Sequence, residues 1–315
     1  MRNIIILFMV LSFCFTCDDA LQKDFPVLTG PYLGQKPPGM IPEVFAPGIL
    51  ANGGTPFNSA FSPDGSEFYY SVSSEKEKKD QIWYTRRINN VWSKPEIAPF
   101  SGQYDDCDVS FSPDGQRLFF ISLGRPLPGQ LVQTKRNFIW FIERRETGCT
   151  DPQLLEYPGN RGGVFPVSTA NKTLYFSARL EESFGSGDIY RSRWVQGVYK
   201  DPENLGPVIN SKYGESDAHI SMDESFLIFT RWKDPDNTGG GQADLYISFS
   251  QNDGSWSKLV NLGPSINTDH IEFCPSFSPD GEYFFFSRFI EETNDCNIYW
   301  VDAKVIEELI PKNFT

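Results

Sequence analysis

The sequence predicts an all-β fold, a single β-propeller built from four-stranded antiparallel blades. The stretch FSPDGSEFYYS, which begins at Phe61, recurs as FSPDGQRLFFIS from Phe111 and as FSPDGEYFFFSR from Phe277. Diverged copies begin at Val167 and Ile220, so the steps between the five copies are 50, 56, 53 and 57 residues. A period in this range, with several short apolar segments in each unit, is typical of blades arranged around a central axis.

Each copy predicts two antiparallel strands joined by a tight turn. In the well-matched copies an apolar residue and a Ser precede Pro-Asp-Gly, and aromatic or β-branched residues follow. Pro and Gly supply the backbone angles that a tight turn requires, and aromatic and β-branched residues favour strands. The five copies therefore predict five hairpins.

Further short segments complete most of the repeats. Apolar third segments such as IWYTRR begin at Ile82, Phe138, Asp188, Asp244 and Asn297. Fourth segments such as WSKPEIAPF begin at Trp92, Lys200 and Trp256. Four strands per repeat and five hairpins predict five blades, with six blades as the alternative if residues 21–49 form an irregular extra one.

The repeated pattern of FSPDG, LYFS, DIY and NLG resembles the TolB-type Pro-Asp propeller repeat, a relative of the WD-repeat blade. The likeness runs from about Val44 to the C-terminus, and three copies carry the full Ser-Pro-Asp-Gly turn. The copy at Val167 has Thr169, Ala170 and Asn171 there, and the copy at Ile220 keeps only Asp223. The resemblance implies the fold and leaves the function open, because binding modules and peptidase accessory domains share this repeat.

The first residues of the chain predict export. Residues 1–17 contain the apolar run IIILFMVLSFCF, which is too short and too N-terminal for a membrane-spanning helix between two soluble domains. Cys17 stands before two Asp residues and resembles the lipid-attachment site of bacterial lipoproteins, although Cys14 and Thr16 depart from that pattern. The prediction is a protein of the periplasm or cell envelope that is lipid-anchored at Cys17; the alternative is a plain secretory signal.

The next residues predict an arm and the strand that closes the ring. Residues 18–43 are rich in Pro and Gly and predict a tether or an arm lying on the propeller. The segment VFAPGIL, residues 44–50, resembles a fourth strand that lacks the three strands before it. We expect it to complete the last blade and so to remove two free sheet edges. The propeller domain is therefore predicted over residues 44–315.

The composition of the chain limits the classes of partner that it can bind. The 315-residue chain has a formal net charge of −13 and no basic stripe, which argues against a nucleic-acid partner. Aromatic residues make up 15% of the chain, and we expect most of them to pack between blades. The prediction is a monomer that meets a membrane only through its lipid anchor.

Cysteine spacing gives no metal site. Cys107, Cys149, Cys274 and Cys296 follow the leader, with neither CxxC nor His-rich spacing, and the sequence has no phosphate-binding Gly loop. No metal and no cofactor is therefore predicted. Cys274 precedes the first strand of the last blade and Cys296 precedes its third strand, which suggests a disulfide between them, with free buried thiols as the alternative.

Candidate functional residues collect on one face of the predicted ring. We call the face with the connections into the first strands, and the loops between second and third strands, the loop face; the Pro-Asp-Gly turns form the opposite turn face. Acidic residues and both His precede or begin the first strands, and Arg residues end the second strands. The predicted ligand-binding set is Asp106, Asp108, Arg179, Glu215, Asp217, His219, Arg231, His270, Glu272 and Arg288.

Two interpretations of this set are open. The carboxylates and Arg could pair with one another between blades and serve structure alone. They could instead form a site for a protein or glycan partner, since loops on a regular scaffold commonly carry binding residues. We favour a non-catalytic binding module. The alternative is a glycan-cleaving propeller that uses two of Asp106, Glu215, Asp217 and Glu272, because glycoside hydrolysis requires paired carboxyl groups.

The prediction that Cys17 carries the lipid is tested by Cys17→Ser. We expect the variant to move from the membrane fraction to the soluble fraction, because a serine hydroxyl cannot replace the thiol at the attachment site. A single acyl chain binds membranes only weakly, so the multi-acyl bacterial form is implied. Immunoblots of the fractions, with Cys14→Ser as the control, measure the effect. Unchanged partitioning of Cys17→Ser would rule out the anchor.

Overall fold

The computed structural model of the protein describes residues 25–51, 53–145, 148–158, 162–238 and 242–309. The predicted export signal and Cys17 lie outside these ranges. Within them β-strands account for nearly all of the regular structure. No helix in this part of the chain is long and apolar enough to cross a membrane.

Five antiparallel sets of strands form the blades, each built outwards from the axis in chain order, and one parallel pairing between Ala243 and Ile271 links the fourth blade to the fifth. Before them stand a 3-10 turn (Tyr32–Gly34) and β1 (Glu43–Val44). The first blade contains β2 (Thr55–Phe61), β3 (Glu67–Ser74), β4 (Lys79–Ile88) and, after the short β5 (Val91–Trp92), β6 (Glu96–Ile97). The second contains β7 (Asp105–Phe111), β8 (Arg117–Leu123), β9 (Phe138–Glu143) and β10 (Gln153–Leu154).

The remaining blades follow the same order. The third contains β11 (Val164–Ser168), β12 (Leu174–Ala178), β13 (Asp188–Ser192) and, after the small hairpin β14 (Trp194–Val195) and β15 (Val198–Tyr199), β16 (Glu203–Asn204). The fourth contains β17 (Gly214–Ile220), β18 (Phe226–Trp232), β19 (Ala243–Phe249) and β20 (Val260–Asn261). The fifth contains β21 (Ile271–Phe277), β22 (Tyr283–Ile290) and β23 (Asp295–Asp302), followed by α1 (Lys304–Glu307).

The fifth blade takes its fourth strand from the N-terminal side of the chain. Val44 of β1 pairs antiparallel with Tyr299 of β23, and the Phe45 N–H donates to the carbonyl of Ile298 at 2.8 Å. The innermost strands β2, β7, β11, β17 and β21 each contact the next, and β2 also contacts β21. The five-blade prediction is confirmed, and the described part of the arm adds no sixth blade.

Apolar packing between neighbouring blades forms five separate core clusters, one at each blade interface. The cluster between the last and first blades is centred on Phe45, which is 1% exposed. Its ring centroid lies 5.2 Å from that of Phe68 in the first blade and 5.1 Å from that of Trp300 in the last. Phe45 therefore joins the two ends of the ring through its side chain as well as its backbone.

The arm also packs against this interface. The Tyr32 hydroxyl donates to Asp280 at 2.6 Å, and Leu33 is buried. The Trp92 indole N–H donates to the carbonyl of Gly30 at 2.7 Å. Of the two interpretations of residues 18–43, the described residues 25–43 are thus an arm lying on the propeller.

One hydrogen-bond arrangement defines the hairpin turns. In the turn after β7 the Ser112 hydroxyl donates to Asp114 at 2.6 Å, and the same carboxylate oxygen accepts the N–H of Gln116 at 3.0 Å. The diverged third repeat keeps both bonds, because Thr169 donates to Asn171 at 2.8 Å and Asn171 accepts the N–H of Thr173 at 2.9 Å. The hydrogen bonds of the turn are therefore retained although the residues of the Ser-Pro-Asp-Gly motif are replaced.

The predicted disulfide between Cys274 and Cys296 is wrong, and both residues are free thiols. Cys274 lies on β21 and Cys296 on β23, with β22 between them. Two strand spacings place the Cα atoms about 10 Å apart, whereas a disulfide requires less than about 7 Å. The sequence argument considered only the ends of the strands and overlooked the strand that separates them.

Because Phe45 fills the closing interface, Phe45→Ala should lower the free energy of unfolding by about 3–5 kcal/mol through lost burial and a residual cavity. Phe184→Ala is the matched control, since Phe184 is 51% exposed and should lose under about 1 kcal/mol. Urea denaturation of both variants measures the difference. Equal stability of Phe45→Ala and the parent would show that the ring is held without this side chain.

Candidate functional site

On the loop face, an Arg holds a buried Glu at the start of the fourth blade. Arg231 Nε donates to Glu215 at 3.0 Å, and another guanidinium nitrogen donates to the carbonyl of Ile209 at 2.9 Å. Ser211 completes the site by donating its hydroxyl, at 2.6 Å, and its N–H, at 3.0 Å, to the Glu215 carboxylate. This cluster, which we call an arginine clamp, ties the connection between two blades to the first two strands of the next.

The clamp recurs in two other blades. In the fifth blade Arg288 donates to Glu272 at 2.7 Å and to the carbonyl of Ile266 at 2.8 Å. In the second blade Arg125 takes this role: it lies 3.2 Å from Asp106 and 3.0 Å from the carbonyl of Phe100. Arg125 was not predicted, because it lies in a loop after the end of β8, whereas Arg231 and Arg288 lie within their strands.

The carboxylates of the arginine clamps are buried and already bound by Arg side chains. The side chains of Asp106, Glu215 and Glu272 are fully buried, and each accepts hydrogen bonds from an Arg of its own blade. Burial raises the pKa of Glu215, while Ser211 and Arg231 oppose that rise. These three residues, expected at an open mouth, are thus neither exposed nor free to face a ligand in this arrangement.

Two other predicted residues lie apart from the clamps. Arg179 does not match Arg231: Ser168 pairs with Leu174, whereas Ile220 pairs with Leu227, so the third hairpin is one residue shorter and Ala178 takes the equivalent place. Arg179 is exposed. His270 is partly exposed on the loop face, where Asp269 and Glu292 lie 3.6 and 3.7 Å from its ring nitrogens.

A second feature repeats around the axis, a β-bulge in every innermost strand. The pairing register shifts near the middle of each of these strands. At each bulge one residue has a positive φ between 51° and 57°, which is uncommon for residues other than Gly. These five bulge residues are Asn58, Asp108, Phe165, Asp217 and Cys274.

The bulge residues line an axial cavity of about 650 Å³ that extends to the turn face. Pro63, Pro113 and Pro279 of the hairpin turns belong to its wall at that end. The prediction that Asp108, Asp217 and His219 belong to the loop face is therefore wrong, because all three line this cavity. The bulge redirects these side chains. A prediction that assumes regular alternation of side chains between the two faces of a strand does not include this change.

Asp108 and Asp217 are the buried carboxyl groups of this cavity. Each is 3% exposed, and Oδ1 of Asp108 has no hydrogen-bond partner among the described residues. Burial raises the pKa of Asp217 to about 7. Burial, followed by the charge of Asp217, raises the pKa of Asp108 well above its usual range. No Arg contact is recorded for either group in the described part of the chain, in contrast to the clamped carboxylates.

Weaker polar groups and aromatic rings complete the wall. The His219 ring centroid lies 5.1 Å from that of Phe277, and burial lowers the pKa of His219 to about 4, which leaves it uncharged at neutral pH. The hydroxyls of Ser59 and Ser276 hydrogen-bond each other at 2.8 Å. The described residues contain no group of three or more His, Cys, Asp or Glu able to hold a metal ion. The arrangement suits hydrogen bonding and charge recognition.

Comparisons with known proteins support the fold. No family model and no curated protein matches this sequence. The chain is similar to the solved structure of a TolB-like protein from Agrobacterium tumefaciens, with 15% identity, a TM-score of 0.51 and coverage of 80% of this chain and 78% of that one. At this identity the similarity shows the propeller fold alone.

Two further solved structures are similar at lower TM-scores. The α-L-arabinofuranosidase of Lactobacillus brevis has 13% identity, a TM-score of 0.47 and coverage of 74% of this chain and 82% of that one. The β-propeller domain of the Trilobed protease from Pyrococcus furiosus has 14% identity, a TM-score of 0.39 and coverage of 79% and 67%.

The arginine clamps predict a stability effect without any ligand. Arg231→Ala should lower the free energy of unfolding by roughly 1 to 3 kcal/mol, because it leaves the buried Glu215 carboxylate without its Arg donor. Protonation removes that charge, and the pKa of Glu215 is raised in the folded state, so the loss should shrink as the pH falls towards 4.5. Chemical denaturation at pH 7.5 and pH 4.5 measures both effects.

Arg193→Ala is the matched control, because Arg193 pairs with Glu203 at 3.0 Å but is half exposed. Surface pairs of this kind contribute about 0 to 1 kcal/mol. If Arg231→Ala costs no more than Arg193→Ala at pH 7.5, the clamp has no structural role, and Arg231 again becomes a candidate ligand group.

Proposed function

We propose that this chain is an exported, lipid-anchored propeller that binds a small ligand in its axial cavity through the turn face. The observation that carries the proposal is the unpartnered Oδ1 of Asp108, which is buried in the wall of that cavity. Buried polar atoms in proteins are nearly always hydrogen-bonded, so an orphan acceptor in a cavity suggests a missing partner. A volume of about 650 Å³ falls in the range of small-molecule sites.

The turn face is favoured over the loop face as the binding side, because the two faces differ in whether their buried carboxylates already have Arg partners. The loop-face carboxylates Asp106, Glu215 and Glu272 already have Arg partners. Among the described residues, no Arg pairs with Asp108 or Asp217. A ligand that approaches the cavity can therefore form contacts with Asp108 and Asp217 without breaking an existing ion pair, which keeps the cost of binding low.

The lining favours an uncharged or cationic ligand over an anion. Asp108, Asp217, Asp280 and Glu307 line the cavity, and neither Lys nor Arg is among its described lining residues. Phe and other apolar residues supply most of the remaining wall, which suits a ligand with an apolar part. A short glycan, or the end of a peptide from a protein partner, fits this description.

A second candidate function is glycan cleavage. It is favoured by two carboxyl groups, Asp108 and Asp217, that line one cavity and lack Arg partners. A pKa of about 7 would suit Asp217 as a general acid. The raised pKa of Asp108 weighs against this candidate, because the second group must be ionised to serve as base or nucleophile.

Filling the cavity tests the binding proposal. Ala60 is partly exposed and lines the cavity, so Ala60→Trp should abolish binding while Ala51→Trp, at an exposed site outside it, should not. Calorimetry with neutral oligosaccharides, short peptides, amines and nitrophenyl glycosides measures the parent and both variants. We expect at least one panel member to bind the parent and to lose about tenfold or more in affinity with Ala60→Trp.

Two outcomes would contradict the proposal. One is a parent that binds no member of the panel, and the other is an Ala60→Trp variant that folds and binds as the parent does. Release of nitrophenol that disappears in Asp217→Asn would replace binding by the second candidate, glycan cleavage.

A further inference from the structure

The five bulge residues, one from each innermost strand, line the axial cavity, and we call them the bulge ring. Its two carboxyl groups have no positively charged partner among the described residues. Asp108 is faced by Asp80 of β4, by Asp105 and Cys107 of its own strand and by Asp217 of β17. Asp217 is faced by Cys274 of β21, whose thiol lies 3.9 Å from Oδ1. All of these groups are acids or thiols.

The neighbouring titratable groups supply no compensating charge at neutral pH. Burial raises the pKa of the Cys107 and Cys274 thiols well above their usual range, so both are protonated. Burial lowers the pKa of His219, so its ring is neutral. An ionised carboxylate in this ring therefore meets other negative groups and a neutral wall, and the unmet electrostatic requirement is for a cation.

Apolar side chains form much of the rest of the cavity wall. Phe226, Phe249 and Phe277 line the cavity together with Ile247, and Phe165 is itself one of the bulge residues. Aromatic faces attract cations and also accept apolar groups. A strongly hydrated metal ion gains little from such a wall, whereas an organic cation places its charged end on the carboxylates and its apolar body against the rings.

We propose that the axial cavity binds a primary ammonium compound with an apolar or aromatic body, whose ammonium group donates to the carboxyl groups of Asp108 and Asp217. This inference rests on the proposed function and names its ligand class. An ammonium group has three donors and no acceptor, which matches a pair of carboxyl groups whose neighbouring donors among the described residues are all uncharged.

The binding should be coupled to proton release. Burial raises the pKa of Asp217 to about 7 and that of Asp108 as well, so at least one group is protonated at slightly acidic pH. An ammonium ligand favours the ionised forms, and each ligand bound then displaces a proton. Affinity should therefore rise with pH through about 7, and fall by on the order of tenfold for each unit well below it if one proton is displaced.

Three indoles of nearly equal shape and different charge test the ligand class. Calorimetry of the parent with tryptamine, tryptophol and indole-3-acetate, at pH 6 and pH 8, compares a cation, a neutral alcohol and an anion. We expect tryptamine to bind about tenfold or more tightly than tryptophol at pH 8, to lose much of that advantage at pH 6, and indole-3-acetate to bind most weakly.

Asp108→Asn and Asp217→Asn should each abolish the preference for tryptamine, with Asp201→Asn, at an exposed loop position, as the matched control. Circular dichroism checks that the variants fold. One folded variant, Asp108→Asn or Asp217→Asn, is enough for the test. Equal affinity for tryptamine and tryptophol, or an unchanged preference in a folded Asp108→Asn or Asp217→Asn variant, would overturn the inference. If neutral oligosaccharides bind and tryptamine does not, the ammonium assignment fails while the proposed cavity function stands.

Discussion

The structure depends on burial of both faces of every blade. A four-stranded blade with apolar residues on two faces cannot be stable alone, and each of the five core clusters is shared by two neighbours. A linear stack would leave one apolar face exposed at each end. The chain removes both ends at the interface of the first and last blades, where Phe45 packs between Phe68 and Trp300 while the neighbouring Val44 pairs with Tyr299. Closure is thus a requirement of the packing.

The blade scaffold could be predicted from the sequence because its determinants are local. A Ser or Thr two residues before an Asp or Asn fixes each hairpin turn by hydrogen bonds within a few residues, as Ser112 does with Asp114. Strand patterns on either side of the turn then set the blade. The same locality explains why the third repeat folds alike with Thr169 and Asn171 in place of the usual letters. Hydrogen bonds between residues close in sequence are thus kept even where substitutions make the motif hard to recognise.

The site could be predicted only in part, since it depends on shifts of one residue. A bulge in each innermost strand turns Asp108 and Asp217 into the axial cavity, and simple alternation along a strand does not reveal an inserted residue. A hairpin shorter by one residue likewise moves Arg179 away from the position that Arg231 occupies. Asn58, Phe165 and Cys274 were missed because they share no chemistry with the two Asp residues. An alignment of the five repeats by strand position, rather than by residue type, would have brought all five together.

Glu215 and Asp217 show how position within one strand separates structure from function. They lie two residues apart on β17, and both are almost fully buried. Glu215 meets Arg231 and Ser211, so its charge is neutralised and its geometry fixed. Asp217 is the bulge residue of this strand, and its side-chain donors among the described residues are the Ser216 hydroxyl and the Cys274 thiol. A carboxylate with an Arg partner has little left to offer a ligand, whereas one that lacks such a partner gains from any cation that reaches it. A carboxyl group on one strand therefore stabilises the ring at the loop face, and another two residues later leaves a negative site open at the axis.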